Sequence, residues 1–341
     1  MLHVDHHEIH PRRIHDLRYP PCDELANHVP QRRTPRIPHR LESIRLHLHT
    51  PRWTSYYNPS MRPMSCRKSR VPILQGDGMK TELSSEQIKH HRTDGYTIVE
   101  DFLNRDELEA FRTVLDEALA ERGSLRIPGQ DQEDFDEDDD PVFLQRVNLW
   151  TSCPAIKELI LDPRIGKICS QLEGVDAYRI WHDHCLIKRP WDNPTSWHRD
   201  NPNWSFYSEH SISIWIALDD ATIQNGCLYF LPCTHRLEGF KGSGIPRSMN
   251  GLFKTFPDWA TIKPEPVELK AGSCTFHNGL LAHAAGPNMT TGLRRAFVAI
   301  FMPVGSTFNG IQNILTEDHL DQLEVGDELC DDALNPIVYQ K

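Results

Sequence analysis

The chain has 341 residues, of which 38% are hydrophobic and 25% are charged, a balance typical of a globular protein. Its formal net charge of −11 disfavours nucleic acid as a partner, because binding to that backbone requires Lys and Arg to neutralise phosphates. No run approaches the roughly 18 apolar residues that a membrane helix needs, and the first residues lack the apolar core of a secretory signal. These features predict a cytoplasmic protein that acts on a small molecule and binds no membrane.

The first 78 residues differ in composition from the rest of the chain. They carry 13 Lys and Arg against 7 Asp and Glu, whereas the remaining residues carry 24 against 41. They also hold 9 of the 19 His and 10 of the 25 Pro, without apolar periodicity. We therefore predict that residues 1–78 are a disordered basic extension and that residues 79–341 form the functional domain. Natural translation from Met79 is an alternative explanation of the extension.

Helices are predicted in the first part of the 79–341 domain. Residues 84–87 resemble a capped helix start, and Tyr96–Val99 is rich in β-forming residues. Asn104 and Glu107 form a capping pattern ahead of apolar residues that recur at helical spacing. Asp162 followed by proline indicates the start of a further helix.

The second half of the domain has the character of a β protein. Residues 131–140 include eight acidic residues, whose repulsion predicts an irregular loop that is either solvated or in contact with substrate. Beyond Tyr178, short β-prone runs alternate with Gly and Pro. This order predicts a mainly β fold with flanking α-helices, a sandwich or jelly roll with helices on its outside. The runs are 178–188, 211–218, 227–231, 273–276 and 295–302.

The segment Trp197-His198-Arg199-Asp200 carries the main chemical signal. In an extended chain, His198 and Asp200 face the same side while Arg199 faces away. An imidazole and a carboxylate on one face supply two thirds of the two-His, one-carboxylate triad of non-haem iron(II) oxygenases. Alone, this spacing is weak evidence in a chain with 19 His. His283, at the end of a later predicted strand, and an arginine entering the next strand could complete the metal site and grip a carboxylate.

Taken together, these segments resemble the phytanoyl-CoA dioxygenase family, a branch of the iron(II)/2-oxoglutarate oxygenases. The resemblance runs from about Met79 to near Met302 and implies a double-stranded β-helix core, a jelly roll of the cupin-like type. The matching motifs are Trp197-His198-x-Asp200, Trp215, Asn225-Gly226-Cys227-Leu228, Leu231-Pro232-x-Thr234-His235, and His283-x-x-Gly286-x-Asn288-x-Thr290 leading to Arg294.

Carried over residue by residue, the resemblance implies that His198, Asp200 and His283 bind Fe(II). It also implies that Arg294 pairs with the distal carboxylate of 2-oxoglutarate and that Trp215 lies near this cosubstrate. On the strand before the triad, His184 and Lys188 share a face. They either contact 2-oxoglutarate or substrate, or are solvated side chains of an edge strand. The family often has Gln where this chain has Arg199, and Gly-Ser where it has Ala284-Ala285.

Three neighbouring residues compete for these roles. Arg295 is adjacent to Arg294, and because strand alternation lets only one of them face the site, the spacing from the last histidine favours Arg294. His277 is a rival to His283 but lacks the downstream Gly-Asn-Arg pattern. His235 resembles a ligand, yet its turn is structural in the family, and we predict a packing role for it.

The activity implied by the resemblance is hydroxylation of an unactivated C–H bond, with O2 and 2-oxoglutarate consumed and succinate and CO2 released. An intact Asp200 favours hydroxylation over halogenation, because related halogenases replace this ligand by a small residue. The sequence does not identify the substrate, because the residues that follow the His198–Asp200 pair either line a pocket or pack a loop. These residues are Asn201, Trp204, Phe206 and Tyr207.

Two other kinds of protein are compatible with part of the pattern. A non-catalytic metal-binding jelly roll, acting as an iron or 2-oxoglutarate sensor, would keep the three ligands without needing the arginine. A sugar- or partner-binding sandwich without metal would leave the three ligands apart in space. The sequence leaves the oligomeric state open between a monomer and a homodimer.

The predicted extension generates a test of its own. A chain that begins at Met79 should retain its fold and its iron binding, because residues 1–78 lack a periodic apolar face that could join a core. Thermal unfolding of the shortened and full-length proteins, each with and without iron(II), provides the measurement. A large fall in melting temperature on truncation would show that the extension is part of the fold.

Overall fold

The computed structural model of the chain describes residues 79–122, 142–242, 244–246 and 248–341. The predicted extension 1–78 and the acidic stretch 131–140 lie outside these residues. Six α-helices are found in the described part: α1 Ser85–Asp94, α2 Arg105–Arg122, α3 Pro154–Ile160, α4 Pro163–Glu173, α5 Gly251–Thr255 and α6 Glu317–Leu320.

The predicted helix starts are confirmed by their caps. Ahead of α1, the Ser84 hydroxyl accepts from the Gln87 N–H at 3.2 Å, and the Gln87 side chain accepts from the Ser84 N–H at 2.9 Å. Asn104 and Glu107 make the same reciprocal pair ahead of α2, at 3.0 and 2.8 Å. The Asp162 carboxylate caps α4. These bonds satisfy backbone N–H groups that the first helical turn leaves unpaired.

Eleven strands in the described residues form two antiparallel sheets. The large sheet has the order β1-β8-β5-β10-β3-β11, with β2 also paired to β3, and the small sheet has the order β4-β9-β6-β7. The strands are β1 Tyr96–Val99, β2 Leu144–Val147, β3 Ala177–Lys188, β4 Thr195–His198, β5 Ile212–Ala217, β6 Leu228–Phe230, β7 Glu265–Val267, β8 Cys274–Asn278, β9 His283–Ala285, β10 Arg294–Pro303 and β11 Ile337–Gln340.

The two faces of the large sheet bury different groups. On the outer face, Phe297 of β10 meets Phe111 of α2 edge-to-face, with ring centroids 5.1 Å apart, and the apolar stripes of the helices join this core. On the inner face, Trp215 and Val298 belong to a second core. Fully burying one such side chain contributes roughly 1.5–3 kcal/mol, so both cores contribute substantially to the stability of the sheet.

This architecture is the mainly β jelly roll with external helices that the sequence predicts, and that prediction is confirmed. The boundaries of the five predicted β runs differ from the observed strands by one or two residues, and the short strands β2, β7 and β11 were not predicted. None of the helices in the described ranges has the length and apolar character needed to cross a membrane.

A buried carboxylate ties the helical layer to the sheet. Glu173, at the end of α4, accepts from His91 of α1 at 2.7 Å, from Asn278 of β8 at 2.9 Å, and from His210 at 3.2 Å. Burial alone would raise the pKa of Glu173, but the hydrogen bonds from His210 and His91 outweigh it and lower the pKa from 4.5 to about 2. The charged form of Glu173 therefore stabilises the fold.

Glu173→Gln should lower the free energy of unfolding by about 3 kcal/mol at pH 5.5, because it removes the charge from a buried, fully partnered site. A carboxylate with a depressed pKa contributes its stability above its unfolded pKa of 4.5 and loses it as the pH falls towards 2. Urea unfolding of wild type and variant at pH 5.5 and pH 3 should therefore show a smaller difference at pH 3.

The exposed Glu117 of α2 offers a matched control, and Glu117→Gln should change stability little at either pH. An equal difference between wild type and Glu173→Gln at pH 5.5 and pH 3 would contradict the charged state assigned to Glu173.

Candidate active site

Three ligand-type side chains converge between the two sheets. One Asp200 carboxylate oxygen, Oδ1, lies 3.3 Å from His198 Nε2 and 3.8 Å from His283 Nε2. One ligand atom from each of the three residues lies within 4.8 Å of the others. His198 and His283 pair directly across β4 and β9, which brings their rings to a centroid distance of 4.2 Å. The structure thus brings together the three residues that the sequence selected.

The route by which they meet differs from the prediction. Asp200 is not extended: its φ of −79° and ψ of −55° are helical, and it caps a short 3-10 helix at Asn201–Asn203. Strand alternation therefore does not place the carboxylate, and the turn after His198 does. His283 also begins β9 rather than ending a strand. Both corrections arise because β4 and β9 are too short to carry an alternation of their own.

Two turn residues position the ligands. The backbone carbonyl of Gly279 accepts from the N–H groups of Asp200 at 3.1 Å and Asn201 at 2.8 Å, so the β8–β9 turn holds the Asp200 segment. The Thr234 hydroxyl accepts from the N–H of Ala282, the residue before His283, at 2.9 Å. This contact gives the Leu-Pro-x-Thr motif its physical role.

The protonation states suit metal binding. Burial, together with the neighbouring His198, lowers the pKa of His283 to about 4, so its imidazole is neutral at pH 7. Burial alone would raise the pKa of Asp200, but His283 and His198 hold it well below its usual range. Burial opposes a charge on His198 too, yet its hydrogen bond to Asp200 raises its pKa. An ionised carboxylate beside imidazoles is a donor set for iron, zinc or copper.

Arg294 lies at the other end of the same cavity. It is the first residue of β10, is 2% exposed, and its guanidinium carbon lies 5.4 Å from the centre of the Trp215 ring. Its Nε and Nη1 have no hydrogen-bond partner among the described residues. Burial lowers its pKa to about 10, which still leaves it charged at neutral pH. A buried cation with two N–H groups that have no acceptor among the described residues is suited to binding an anionic ligand.

Arg295 faces the opposite side of the sheet, as strand alternation requires. Its guanidinium pairs with Asp219 at 3.0 Å and with Asp116 of α2 at 3.2 Å. Asn288 closes the turn ahead of β10: its amide nitrogen donates to the carbonyls of Lys188 and Gly292, and its oxygen accepts from the N–H and hydroxyl of Thr290. This turn fixes which arginine enters the cavity.

The cavity has a volume of about 120 Å³. Besides the three ligands, the sequence analysis named His184, Trp215 and Arg294 among its lining residues but missed seven others. The two-residue period of β3 could have revealed Leu186, two positions after His184, whereas β2 and the 237–246 segment gave no signal. The missed lining residues are Phe143, Gln145, Leu186, Thr195, Leu228, Ile245 and Val298.

Other predicted residues lie elsewhere. The Lys188 ammonium donates to the backbone carbonyls of Val142 and Asn193, and the residue does not line the cavity. Its predicted contact with a ligand stays a prediction, with one N–H left for it. His235 lies outside this cavity and borders a separate cleft. His277 lines the cavity, with Nε2 4.0 Å from Asp200 Oδ2, but is not one of the three grouped ligands.

The candidate pocket residues that follow Asp200, at positions 201, 204, 206 and 207, do not line the cavity. Trp204 and Phe206 stack on each other at 5.6 Å inside the inner core, and the buried Asn201 accepts from the Ser208 N–H. Trp204 and Phe206 are therefore core residues of the inner face.

The described residues fit iron and 2-oxoglutarate. The triad offers two imidazole nitrogens and one carboxylate, and the Arg294 guanidinium, with two unpartnered N–H groups among the described residues, offers a fork that can bind a carboxylate. Further inward-facing polar atoms also lack a partner among the described residues: His184 Nδ1, Ser213 Oγ, Thr275 Oγ1 and His277 Nδ1. Buried polar atoms are normally paired, so this cavity is built to hold a polar ligand.

Known proteins are similar to this chain in sequence and fold. The family model described as phytanoyl-CoA dioxygenase matches residues 91–296. The chain is 27% identical over 224 residues to a methylphosphonate hydroxylase from Gimesia maris, covering 64% of this chain and 80% of that protein. It is 25% identical over 244 residues to the peroxisomal phytanoyl-CoA dioxygenase of Rattus norvegicus, covering 63% and 67%. The solved structure of SnoK, a non-haem α-ketoglutarate-dependent carbocyclase from nogalamycin biosynthesis, superposes with a TM-score of 0.65 at 25% identity, covering 77% and 99%.

Gly279→Ala should loosen the metal site. A Cβ at this position would lie 2.5 Å from Ser211 Oγ and 2.8 Å from a ring carbon of Trp204, so the turn must shift. Such overpacking costs about 1–3 kcal/mol, and the shift moves the carbonyl that holds Asp200. We expect weaker iron(II) binding in anaerobic titration together with a lower unfolding free energy. Gly292→Ala, whose Cβ meets nothing within 4 Å, is the control; equal iron affinities for the two variants would contradict this role of Gly279.

Proposed function

Because the chain belongs to the phytanoyl-CoA dioxygenase family, we propose that it is an iron(II)- and 2-oxoglutarate-dependent dioxygenase that hydroxylates an unactivated C–H bond of a small molecule. The observation that carries the proposal is Arg294, a buried guanidinium with two partnerless donor groups in the cavity that holds the convergent triad. The triad could hold a metal ion. Arg294 could hold the carboxylate of a cosubstrate bound beside that metal.

In this proposal each residue has a defined task. His198, Asp200 and His283 would hold Fe(II) through one ligand atom each. Arg294 holds the distal carboxylate of 2-oxoglutarate through its planar fork, with Trp215 packed beside it. Bound iron and 2-oxoglutarate supply the oxidation, in which O2, 2-oxoglutarate and R–H become R–OH, succinate and CO2. The apolar lining residues Leu186, Leu228 and Val298 would limit the access of water to the reacting groups.

The substrate is proposed to present an apolar portion to the cavity. Phe143, Leu186, Leu228 and Ile245 line it, and among the described residues Arg294 is the only cationic residue that does so. A cytoplasmic location suits this chemistry, since a reducing compartment protects iron(II) from oxidation. Succinate release measured with a panel that includes methylphosphonate and phytanoyl-CoA, the compounds in the relatives' names, would identify the class.

A non-catalytic sensor of iron is the alternative that this panel tests. Such a module has no need for a buried cation at the far end of its metal cavity, because an unpaired buried charge is costly. Iron binding without conversion of 2-oxoglutarate to succinate in the presence of any of these compounds would favour the sensor.

Arg294→Ala should weaken 2-oxoglutarate binding by roughly 30-fold or more while leaving iron affinity nearly unchanged, since truncating one partner of a buried charged pair costs about 2–5 kcal/mol. Arg294→Lys should recover only part of this loss, because an ammonium lacks the planar fork. The measurement is an anaerobic titration of 2-oxoglutarate into the iron(II) protein, followed through the visible absorption band of the complex.

The adjacent Arg295 supplies the control. Arg295→Ala removes pairs with Asp219 and Asp116 on the outer face and should leave the 2-oxoglutarate midpoint within about threefold of wild type. If Arg295→Ala, rather than Arg294→Ala, weakened 2-oxoglutarate binding, the assignment of the cosubstrate to Arg294 would be wrong. Absence of the band in wild type would remove the oxygenase proposal itself.

A further inference from the structure

Arg199, the residue between two proposed iron ligands, is buried in an unusual way. It is 2% exposed, and no carboxylate of the described ranges forms an ion pair with it. Its Nε donates to the Leu280 carbonyl at 2.9 Å, Nη1 to Lys241 at 3.1 Å, and Nη2 to Gly239 at 2.6 Å. All these acceptors are backbone carbonyls, so the guanidinium acts as a clamp on the chain.

Aromatic rings complete the surroundings of this guanidinium. Its central carbon lies 5.8 Å from the Phe256 ring centre and 5.5 Å from that of Trp259, and these two rings stack on each other at 4.1 Å. Both belong to a small core that also contains Trp197 of β4. A planar cation with several donors suits this place, whereas an ammonium could not reach three carbonyls at once.

Two of the three carbonyls, those of Gly239 and Lys241, belong to the segment 237–246, of which all residues except 243 are described. Its first part is held by Arg199, and at its far end the Pro246 carbonyl accepts from the Ser196 hydroxyl. Ile245, between these two attachments, lines the proposed active-site cavity although it is 54% exposed. Both attachments therefore come from the same short segment that supplies His198 and Asp200.

We infer that Arg199 is a positioning residue that holds the 237–246 segment against the metal-ligand strand, so that Ile245 forms an apolar, substrate-facing wall of the cavity. The inference rests on the proposed function, because it takes the cavity to be the active site. It assigns a task to a residue that the resemblance left unexplained, where the family often has Gln. An apolar side chain left half exposed at a cavity is covered when a substrate with a hydrocarbon portion binds.

Cleavage by trypsin after Lys241 reports on the clamp directly. The Lys241 carbonyl is bound by Arg199, so Arg199→Gln and Arg199→Lys should both be cut there at least roughly 10-fold faster than wild type under native conditions. Arg179→Gln is the matched control, because Arg179 is also buried and also donates to a backbone carbonyl, that of Asn335. Cleavage at the wild-type rate in both Arg199 variants would overturn the inference.

A reporter at the wall separates positioning from a general loss of stability. With 4-fluorophenylalanine in place of Ile245, bound Mn(II) should broaden the single ¹⁹F resonance strongly, because a paramagnetic ion in the triad lies beside the wall. In the Arg199→Gln background, the same resonance should keep at least about half of its intensity, while the Arg179→Gln background behaves as wild type. Equal broadening in all three backgrounds would show that Arg199 does not place Ile245.

The two proposals can fail independently. If Mn(II) fails to broaden the line in any background and iron(II) fails to bind, the metal site and the proposed function fall, while the trypsin result still decides whether Arg199 clamps the segment. If the Arg199 variants lose metal binding without faster cleavage, Arg199 acts on the ligand strand alone and the wall is not its task. Retained metal binding with faster cleavage and a sharpened ¹⁹F line supports the inference.

Discussion

The site depends on the separation of the two faces of the large sheet. Successive residues of β10 point to opposite sides, so Arg295 meets acidic groups under the helices while Arg294 enters the space between the sheets. Its neighbours on the inner face obey the same rule: Val298 of β10 pairs with His184 of β3 and with Trp215 of β5. One register therefore fixes the wall opposite the triad, and a slip by one residue would exchange the cavity for the helical core.

Much of this could be predicted from the sequence, because long elements carry their own periodicity. Local capping residues predicted the starts of α1 and α2. Runs of β-forming residues predicted the long strands β3 and β10. The three triad residues were found through motif order, not through geometry. The expectation that His198 and Asp200 alternate on one strand was wrong in its mechanism, since β4 ends at His198 and the chain turns there.

The parts that sequence reasoning missed are those set by distant contacts. Ile245 lines the cavity in a segment that Arg199 and Ser196 bind from the region of β4, and no local sequence pattern in residues 237–246 predicts those contacts. The buried Lys188 shared a predicted face with His184, yet two backbone carbonyls bind its ammonium. Trp204 and Phe206, which follow Asp200 in the chain, were candidate pocket residues, but both pack in the inner core instead. Tertiary partners decided each of these outcomes.

The Asn288 turn has a consequence for how this chain could change over time. Its amide group bonds to Gly292 and Thr290 and so ties the base of the loop to itself, while Met289 and Leu293 at the rim are 61% and 52% exposed. Because these hydrogen bonds fix the base of the loop, changes at its exposed side chains need not move the start of β10. The side chains of Met289 and Leu293 can therefore be exchanged without displacing Arg294, which makes this rim a place where related proteins can diversify while the residues beneath are preserved.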